Sequence, residues 1–322
     1  MLDGYQTHLD DCAERCRQAS SSFYASFSCL PVKKRYAVMS VYALCRWLDD
    51  IVDGDSEERL DIEIDQKSSI RLAELISNKG SQPVAFDYKI KLDTLTSIRF
   101  AIDEIFENGG TEIEHPVIKA IEWTINQFPI KKVDLFTIID GMEDDLFEIR
   151  LKTYDDVRAY AFKVASSVGL VLLEIYGYSS QSARLHAIDL GIQLQMINIL
   201  RDVREDFDRD RIYLPIDSLN SFNVSLDSLN DDMLVESPNW TEFMDEYLEI
   251  VNTHMESASH LNKYLDYDVR MHVKILTSVY TEIFRGMMKS KNPLSPVGLS
   301  AWKKFSIASM ILYSKLKNRV GY

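Results

Sequence analysis

The stretch Gly191-Ile192-Gln193-Leu194-Gln195-Met196-Ile197-Asn198-Ile199-Leu200-Arg201-Asp202-Val203-Arg204-Glu205-Asp206 concentrates residue types that can do chemistry. Read as a helix, at ~100° per residue, it puts Gly191, Gln195, Asn198, Asp202 and Asp206 on one narrow stripe. Leu190, Met196, Ile197, Ile199 and Leu200 surround that stripe with apolar side chains. A surface helix would set its carboxylates opposite its aliphatics; these acids are expected to look into a cavity. One helical turn separates Asp202 from Asp206, ~6 Å along the axis. Two carboxylates at that distance repel by ~3 kcal/mol at an effective dielectric near 20, and burial adds to the cost unless cations are present. A donor set of oxygens, without cysteine or histidine, suits a hard cation such as Mg²⁺. Such an ion completes its shell with water and with phosphate from a ligand.

A second cluster has the same character. In Cys45-Arg46-Trp47-Leu48-Asp49-Asp50-Ile51-Val52-Asp53, the helical wheel aligns Asp49 and Asp53 with Val38, Tyr42 and Cys45. Arg46 stands one turn from Asp49 and Asp50, as Arg201 stands beside Asp202. The spacing alone decides little, because Asp61/Asp65, Asp140/Asp144, Asp206/Asp210 and Asp227/Asp231 share it in an acidic chain. The apolar stripes and the neighbouring arginines set Asp49/Asp53 and Asp202/Asp206 apart, and suggest two clusters facing one cavity. The bland alternative is two helix ends with local salt bridges worth little.

Two further stretches are of interest. Tyr160-Ala161-Phe162-Lys163-Val164-Ala165-Ser166-Ser167-Val168-Gly169 joins an aromatic start to a run of small residues, which admit either a flat apolar ligand or a second helix. On this stretch alone, helix packing is the better reading. In Ser20-Ser21-Ser22-Phe23-Tyr24-Ala25-Ser26-Phe27, hydroxyls could bind phosphate while Phe23 and Phe27 line an apolar wall. The alternative is a mixed helix end.

Helices must position all of these. Helical periodicity predicts segments over 5–28, 32–52, 57–76, 88–107, 116–127, 132–149, 154–176, 181–206, 240–264, 267–289 and 299–318. Gly and Pro punctuate them, and no long alternating run suggests a sheet. Without a Pro/Gly/Ser linker or a repeat, residues 1–322 read as one all-α domain, a helical bundle around a central cavity. A net charge of −14 argues against nonspecific nucleic-acid binding. An apolar fraction of 46% is that of a folded chain. Cys12, Cys16, Cys29 and Cys45 form neither a CxxC pair nor a disulfide framework, and read as ordinary buried thiols rather than a soft-metal site with His8. With no signal-peptide pattern at the start and no long uninterrupted apolar run, the expected location is cytoplasmic, with peripheral membrane contact at most.

These motifs resemble the squalene/phytoene synthases, the head-to-head prenyl synthases, and within them the bacterial dehydrosqualene and phytoene synthases. Arg46 to Asp53 is similar to the family's first aspartate motif. Gln195 to Asp206, followed by Asp210-Arg211-Ile212-Tyr213-Leu214-Pro215, is similar to the second. Asp140-Gly141-Met142-Glu143 and Tyr160–Gly169 resemble its middle motifs, and the likeness spans roughly 8–290. It implies an isoprenoid-synthase-type fold in which two allylic prenyl diphosphates condense, through a cyclopropyl diphosphate, to a linear polyene of carotenoid biosynthesis. Composition leans toward two farnesyl diphosphates and dehydrosqualene, with geranylgeranyl diphosphate and phytoene a close second. By the resemblance, Asp49, Asp53, Asn198, Asp202 and Asp206 hold Mg²⁺. Ser20, Ser21, Ser22, Phe23, Tyr42, Arg46, Tyr160, Gln195, Arg201, Tyr213 and Tyr280 contact substrate, and Tyr42 and Tyr280 stand near the proton transfers.

Three departures accompany it: Ser166 stands where the family usually has glycine, Ala19 where it has a basic residue or histidine, and no arginine appears around Pro296-Val297-Gly298, where Lys303 and Lys304 could substitute. The competing readings are a prenyl diphosphate phosphatase, a terpene cyclase, and a noncatalytic helical scaffold that binds lipid.

Overall fold

The computed structural model describes residues 4–19, 24, 26–85, 87–231 and 233–290. It is all-α, as the periodicity predicts, apart from two strands of two residues each. Its packing sorts into two compact units that divide between Glu148 and Ile149, with Glu174–Tyr176 belonging to the first. No Pro, Gly or Ser marks that division.

The first unit contains α1 (Gln6–Ala19), α2 (Val32–Asp53), α3 (Asp65–Lys79), α4 (Tyr88–Asn108), α5 (Pro116–Gln127) and α6 (Lys132–Asp144). Helix α2 is its spine and packs on α1, α4, α5 and α6. The reason is its apolar spacing: Ala37, Val41, Leu44, Leu48 and Ile51 recur every three to four residues and are all buried. Each large member of that row contributes about 1.5–3 kcal/mol by leaving water. Cys12, Cys16 and Cys29 are buried and form no disulfide, and Cys16 Sγ donates to the Met39 carbonyl at 3.3 Å.

One predicted helix starts late. The spacing predicts helix from Glu57, but α3 begins at Asp65. In Leu60-Asp61-Ile62-Glu63-Ile64, Leu60 and Ile64 turn inward while Asp61 and Glu63 face solvent. That alternation belongs to extended chain, not to helix.

The second unit contains β1 (Ile149–Arg150), α7 (Tyr154–Ala161), a π-helical turn (Phe162–Ser166), α8 (Ser167–Tyr176), α9 (Ser182–Arg201), α10 (Val203–Asp208), β2 (Arg211–Ile212), α11 (Ile216–Ser221), α12 (Pro238–Ala258), α13 (Leu261–Tyr264) and α14 (Arg270–Ser290). Helix α9 is its axis, packed by α7, the π turn, α12, α13 and α14. Trp240, Phe243 and Tyr247 of α12 are fully buried, and the Tyr247 hydroxyl donates to the Met196 carbonyl of α9 at 3.2 Å. Thr153 and Asp156 start α7 with a reciprocal capping box. The continuous helical run Tyr154–Tyr176 is long and apolar enough to cross a membrane, yet 56% of its most apolar window is buried, as in a core helix.

The predicted helix over 181–206 is broken. Asp202 leaves the helical region, at φ −103° and ψ 11°, ending α9 and starting α10. The hydrogen-bond ladder survives the break: Asp202 N–H reaches the Asn198 carbonyl and Asp206 N–H the Asp202 carbonyl, both at 2.9 Å. The predicted helix over 299–318, with Lys303 and Lys304, lies outside the described residues, as does Pro296.

Candidate active site

In the first unit the acids stand at the end of α2. Gly54, at φ +82°, closes the helix in the left-handed conformation, with its N–H on the Asp50 and Ile51 carbonyls. Asp49, Asp50 and Asp53 therefore occupy the last turn, where the helix dipole is already negative and the turn itself contains no basic residue. Arg46 reaches forward to Asp49 Oδ2 at 3.3 Å and Asp50 Oδ1 at 2.6 Å. Burial works against the charge on Arg46, but Asp50 and Asp49 outweigh it and keep the guanidinium protonated above its ordinary range. The Asp49 side chain is 53% exposed, more open than the sequence stripe suggests. Cys45 is no soft ligand here, since burial, and then Asp49, push its thiol up to about 12.

Tyr42, one turn before Arg46, meets Phe27 edge to face at 6.1 Å. Tyr42, Arg46, Trp47 and Asp50 line a cavity of about 320 Å³ together with Arg15 and Glu58. Ser20, Ser21, Ser22 and Phe23 lie outside the described residues. The acids of the middle motif are otherwise engaged: Arg71 and Arg99 both bond Asp140 and the fully buried Glu143. A charge cluster of that kind holds α3, α4 and α6 together.

In the second unit Arg201 grips Asp202 with both ends of its fork, at 2.7 and 2.6 Å. That bond, against the cost of burial, raises the Arg201 pKa. The Tyr280 hydroxyl donates to Asn198 Oδ1 at 3.4 Å and also interacts with Arg201. Burial raises the phenol, so Tyr280 stays neutral. The structure thus brings Asn198, Arg201, Asp202 and Tyr280 together, and carries Gln195 and Asp206 along the same helical ladder, both half-buried.

The motif's tail is placed by backbone. Asp210 takes φ +58°, and Arg150 holds it through the Asp210 carbonyl at 2.6 Å and through its carboxylate. This turn sets β2 parallel to β1, with Ile149 opposite Arg211 and Arg150 opposite Ile212. Tyr213 follows directly, and its ring lies 4.7 Å from that of Tyr160.

The run of small residues packs helices. Ser166 is fully buried, and its hydroxyl donates to the Ile188 carbonyl of α9 at 2.7 Å. A Cβ at Gly191 would stand 2.4 Å from Ser166 Cα, so only glycine lets the π turn seat there. Ser166, where the family usually has glycine, is committed to packing on α9.

Among the described residues, no three acidic, histidine or cysteine side chains form a self-sufficient metal centre. The donors present are carboxylate and amide oxygens at two acid-rich helix ends, each beside an arginine. That set fits a hard cation whose shell a phosphate completes, and not a structural zinc.

The squalene/phytoene synthase family model matches residues 16–303. The chain belongs to the squalene/phytoene synthase family. It is 28% identical over 291 residues to the 15-cis-phytoene synthase of Synechococcus elongatus, covering 85% of this chain and 83% of that protein. It is 31% identical over 222 residues to the phytoene synthase of Mycobacterium tuberculosis, covering 69% of this chain and 62% of that one. A dehydrosqualene synthase solved with a ligand superposes with a TM-score of 0.75 at 23% identity, over 98% of this chain and 99% of that one. A squalene synthase from Alicyclobacillus acidocaldarius gives 0.72 at 18%, over 90% and 97%. Membership makes the chain a prenyltransferase that condenses prenyl diphosphates head to head.

Proposed function

We propose that this chain joins two geranylgeranyl diphosphates into phytoene, in a Mg²⁺-dependent step of carotenoid biosynthesis. The composition leans toward farnesyl diphosphate, but the relatives at 28–31% identity are named phytoene synthases, which supports the C20 substrate. The observation that carries the Mg²⁺ dependence is the pair of acid-rich helix ends, at Asp49/Asp53 and at Asn198/Asp202/Asp206, each beside an arginine.

Bound there, Mg²⁺ would neutralise the charge that develops on a departing diphosphate. Arg46, Arg201 and Gln195 bind diphosphate oxygens directly and orient the leaving group. The allylic cation left behind would be quenched by water, so its surroundings must be apolar. The rings of Tyr42, Tyr160 and Tyr213 offer faces that stabilise the cation without attacking it. The second substrate's double bond attacks the cation, a proton leaves, and a cyclopropyl diphosphate forms. Its ionisation releases the second diphosphate, and the rearranged cation loses a second proton to give the linear polyene. Tyr280, neutral and bonded to Asn198, is suited to move a proton near the departing diphosphate. The product is a long hydrocarbon, and its transfer from water to lipid favours a peripheral membrane contact.

Mass spectrometry of the products from C15 and C20 diphosphates, with Mg²⁺ or a chelator and with or without reduced nicotinamide, tests the reading. A C40 hydrocarbon made from C20 substrate only with Mg²⁺ is expected. Free prenyl alcohol would make the chain a phosphatase, and unchanged substrate would make it a scaffold.

A further inference from the structure

The loop that follows the first acid motif is fastened at one end to the motif itself and at the other by groups outside it. Asp55 and Ser56 fold back and donate their N–H groups to the Asp50 carbonyl at 2.8 and 3.2 Å. Two residues on, both oxygens of Glu58 accept from Arg15 of α1 at 2.8 Å. Arg15 is steadied in turn by Asp11 at 2.7 Å. Glu58 Oε1 also meets His115 Nε2 at 3.0 Å, just before α5. The same imidazole stacks on Trp47, with ring centroids 4.2 Å apart and planes 16° from parallel. His115 therefore grips the acid-bearing turn from both sides, through Trp47 upstream and Glu58 downstream.

We infer that the Arg15–Glu58–His115 clasp is a positioning device for the first acid cluster. Arg15 and Glu58 line the cavity beside Arg46 and Asp50, and the role inferred for the clasp is to hold the acids rather than to react. The clasp fixes where the end of α2 stops and how Asp49, Asp50 and Asp53 are presented. The dipole and the mutual repulsion of three carboxylates would otherwise fray that last turn. A hard-cation site needs its ligands held in register by their outer partners, and loss of such partners typically costs roughly 10- to 100-fold in metal affinity or activity.

The inference rests on the reading of Asp49 and Asp53 as Mg²⁺–diphosphate ligands, and the experiment separates the two. Calorimetric titration of the full chain with inorganic diphosphate in Mg²⁺ is run on wild type, Glu58→Gln, Arg15→Lys, His115→Phe, Asp53→Asn and Leu75→Ala. The last removes buried packing in α3 away from the clasp, as a control for lost stability. Turnover is measured across Mg²⁺ concentrations in parallel.

Glu58→Gln is expected to weaken diphosphate binding roughly 10-fold and to raise the half-saturating Mg²⁺ by a similar factor. His115→Phe, which keeps the stack and loses the bond to Glu58, falls between it and wild type, while Leu75→Ala loses stability with binding intact. Arg15→Lys, which keeps the charge and loses the two-pronged grip, weakens binding even if Glu58→Gln does not fold. Binding within about twofold of wild type in the clasp variants, with Asp53→Asn impaired, overturns the clasp and leaves the metal reading standing. Binding retained in Asp53→Asn overturns both.

Discussion

The two acid clusters carry similar side chains and are supported in different ways. At the end of α2, three aspartates crowd a helix C-terminus, Arg46 pairs with Asp49 and Asp50, and a loop clasp from Glu58 sets the turn. At the end of α9, the helix breaks at Asp202 and restarts, so Asp206 sits in the favourable first turn of α10. Arg201 and the Tyr280 phenol complete that arrangement within the second unit. The difference teaches that a crowded carboxylate cluster can be supported in two ways, by fastening the chain beyond it or by reshaping the helix beneath it. The first cluster depends on distant residues in the sequence, and the second depends mainly on its own motif and α14.

The most severe way to break the comparison is to remove either acid. Asp49→Ala and Asp202→Ala are each expected to cut turnover by roughly 10²–10³-fold or more, with helicity by circular dichroism unchanged. Retained activity in one of them, assayed with radiolabelled prenyl diphosphate, would show that the clusters are not equivalent. Next, Gly191→Ala forces a methyl against the Ser166 backbone. It should cost about 1–3 kcal/mol of stability, read as a lower Tm, and a variant as stable as wild type would disprove the close seating of the π turn on α9.

Tyr280→Phe sharpens the contrast, because it removes a phenol bonded to the second cluster and leaves the first cluster untouched. A fall of roughly 10-fold in kcat, with little change in KM, is expected for a group acting in proton transfer. An equal loss in KM alone would make Tyr280 a packing residue.

The smallest effect is a pH dependence confined to the first cluster's clasp. Bonds from Arg15, then His115, lower the Glu58 carboxyl to about 2 from 4.5. A depressed acid stabilises the fold above its ordinary value and loses that contribution as pH falls through the folded one. Between pH 4.5 and about 2 the Tm of wild type should therefore fall toward that of Glu58→Gln. Parallel curves across that window would show the ion pair to be without consequence.

Much of this was legible in the chain. Helix α2 and helix α5 follow the predicted segments almost to the residue, because the apolar spacing and the Gly54 and Pro116 punctuation act locally. The second motif was legible as a stripe, though the break at Asp202 was not: its hydrogen bonds keep the helical pattern, and only the backbone angles depart from it. Glu58 went unread for a different reason. It lies among charges that look like an exposed helix, and the alternation Leu60-Asp61-Ile62-Glu63-Ile64 was the available signal that the chain is extended there. Its partners Arg15 and His115 are 43 and 57 residues away, beyond any local pattern. The paired strands at Ile149 and Arg211 were too short for periodicity to register. Ser166 could be read for size but not for direction, and it points at α9.

The central claim is that both acid motifs serve a single Mg²⁺-dependent ionisation of a prenyl diphosphate. A double-mutant cycle in diphosphate release, with Asp53→Asn, Asp202→Asn and the double variant across Mg²⁺ concentrations, addresses it most directly. Groups that act as one unit are non-additive, so the account predicts a double variant scarcely slower than the slower single, both insensitive to added Mg²⁺. Losses that multiply, or a single variant that still turns over with the Mg²⁺ dependence of wild type, would contradict it.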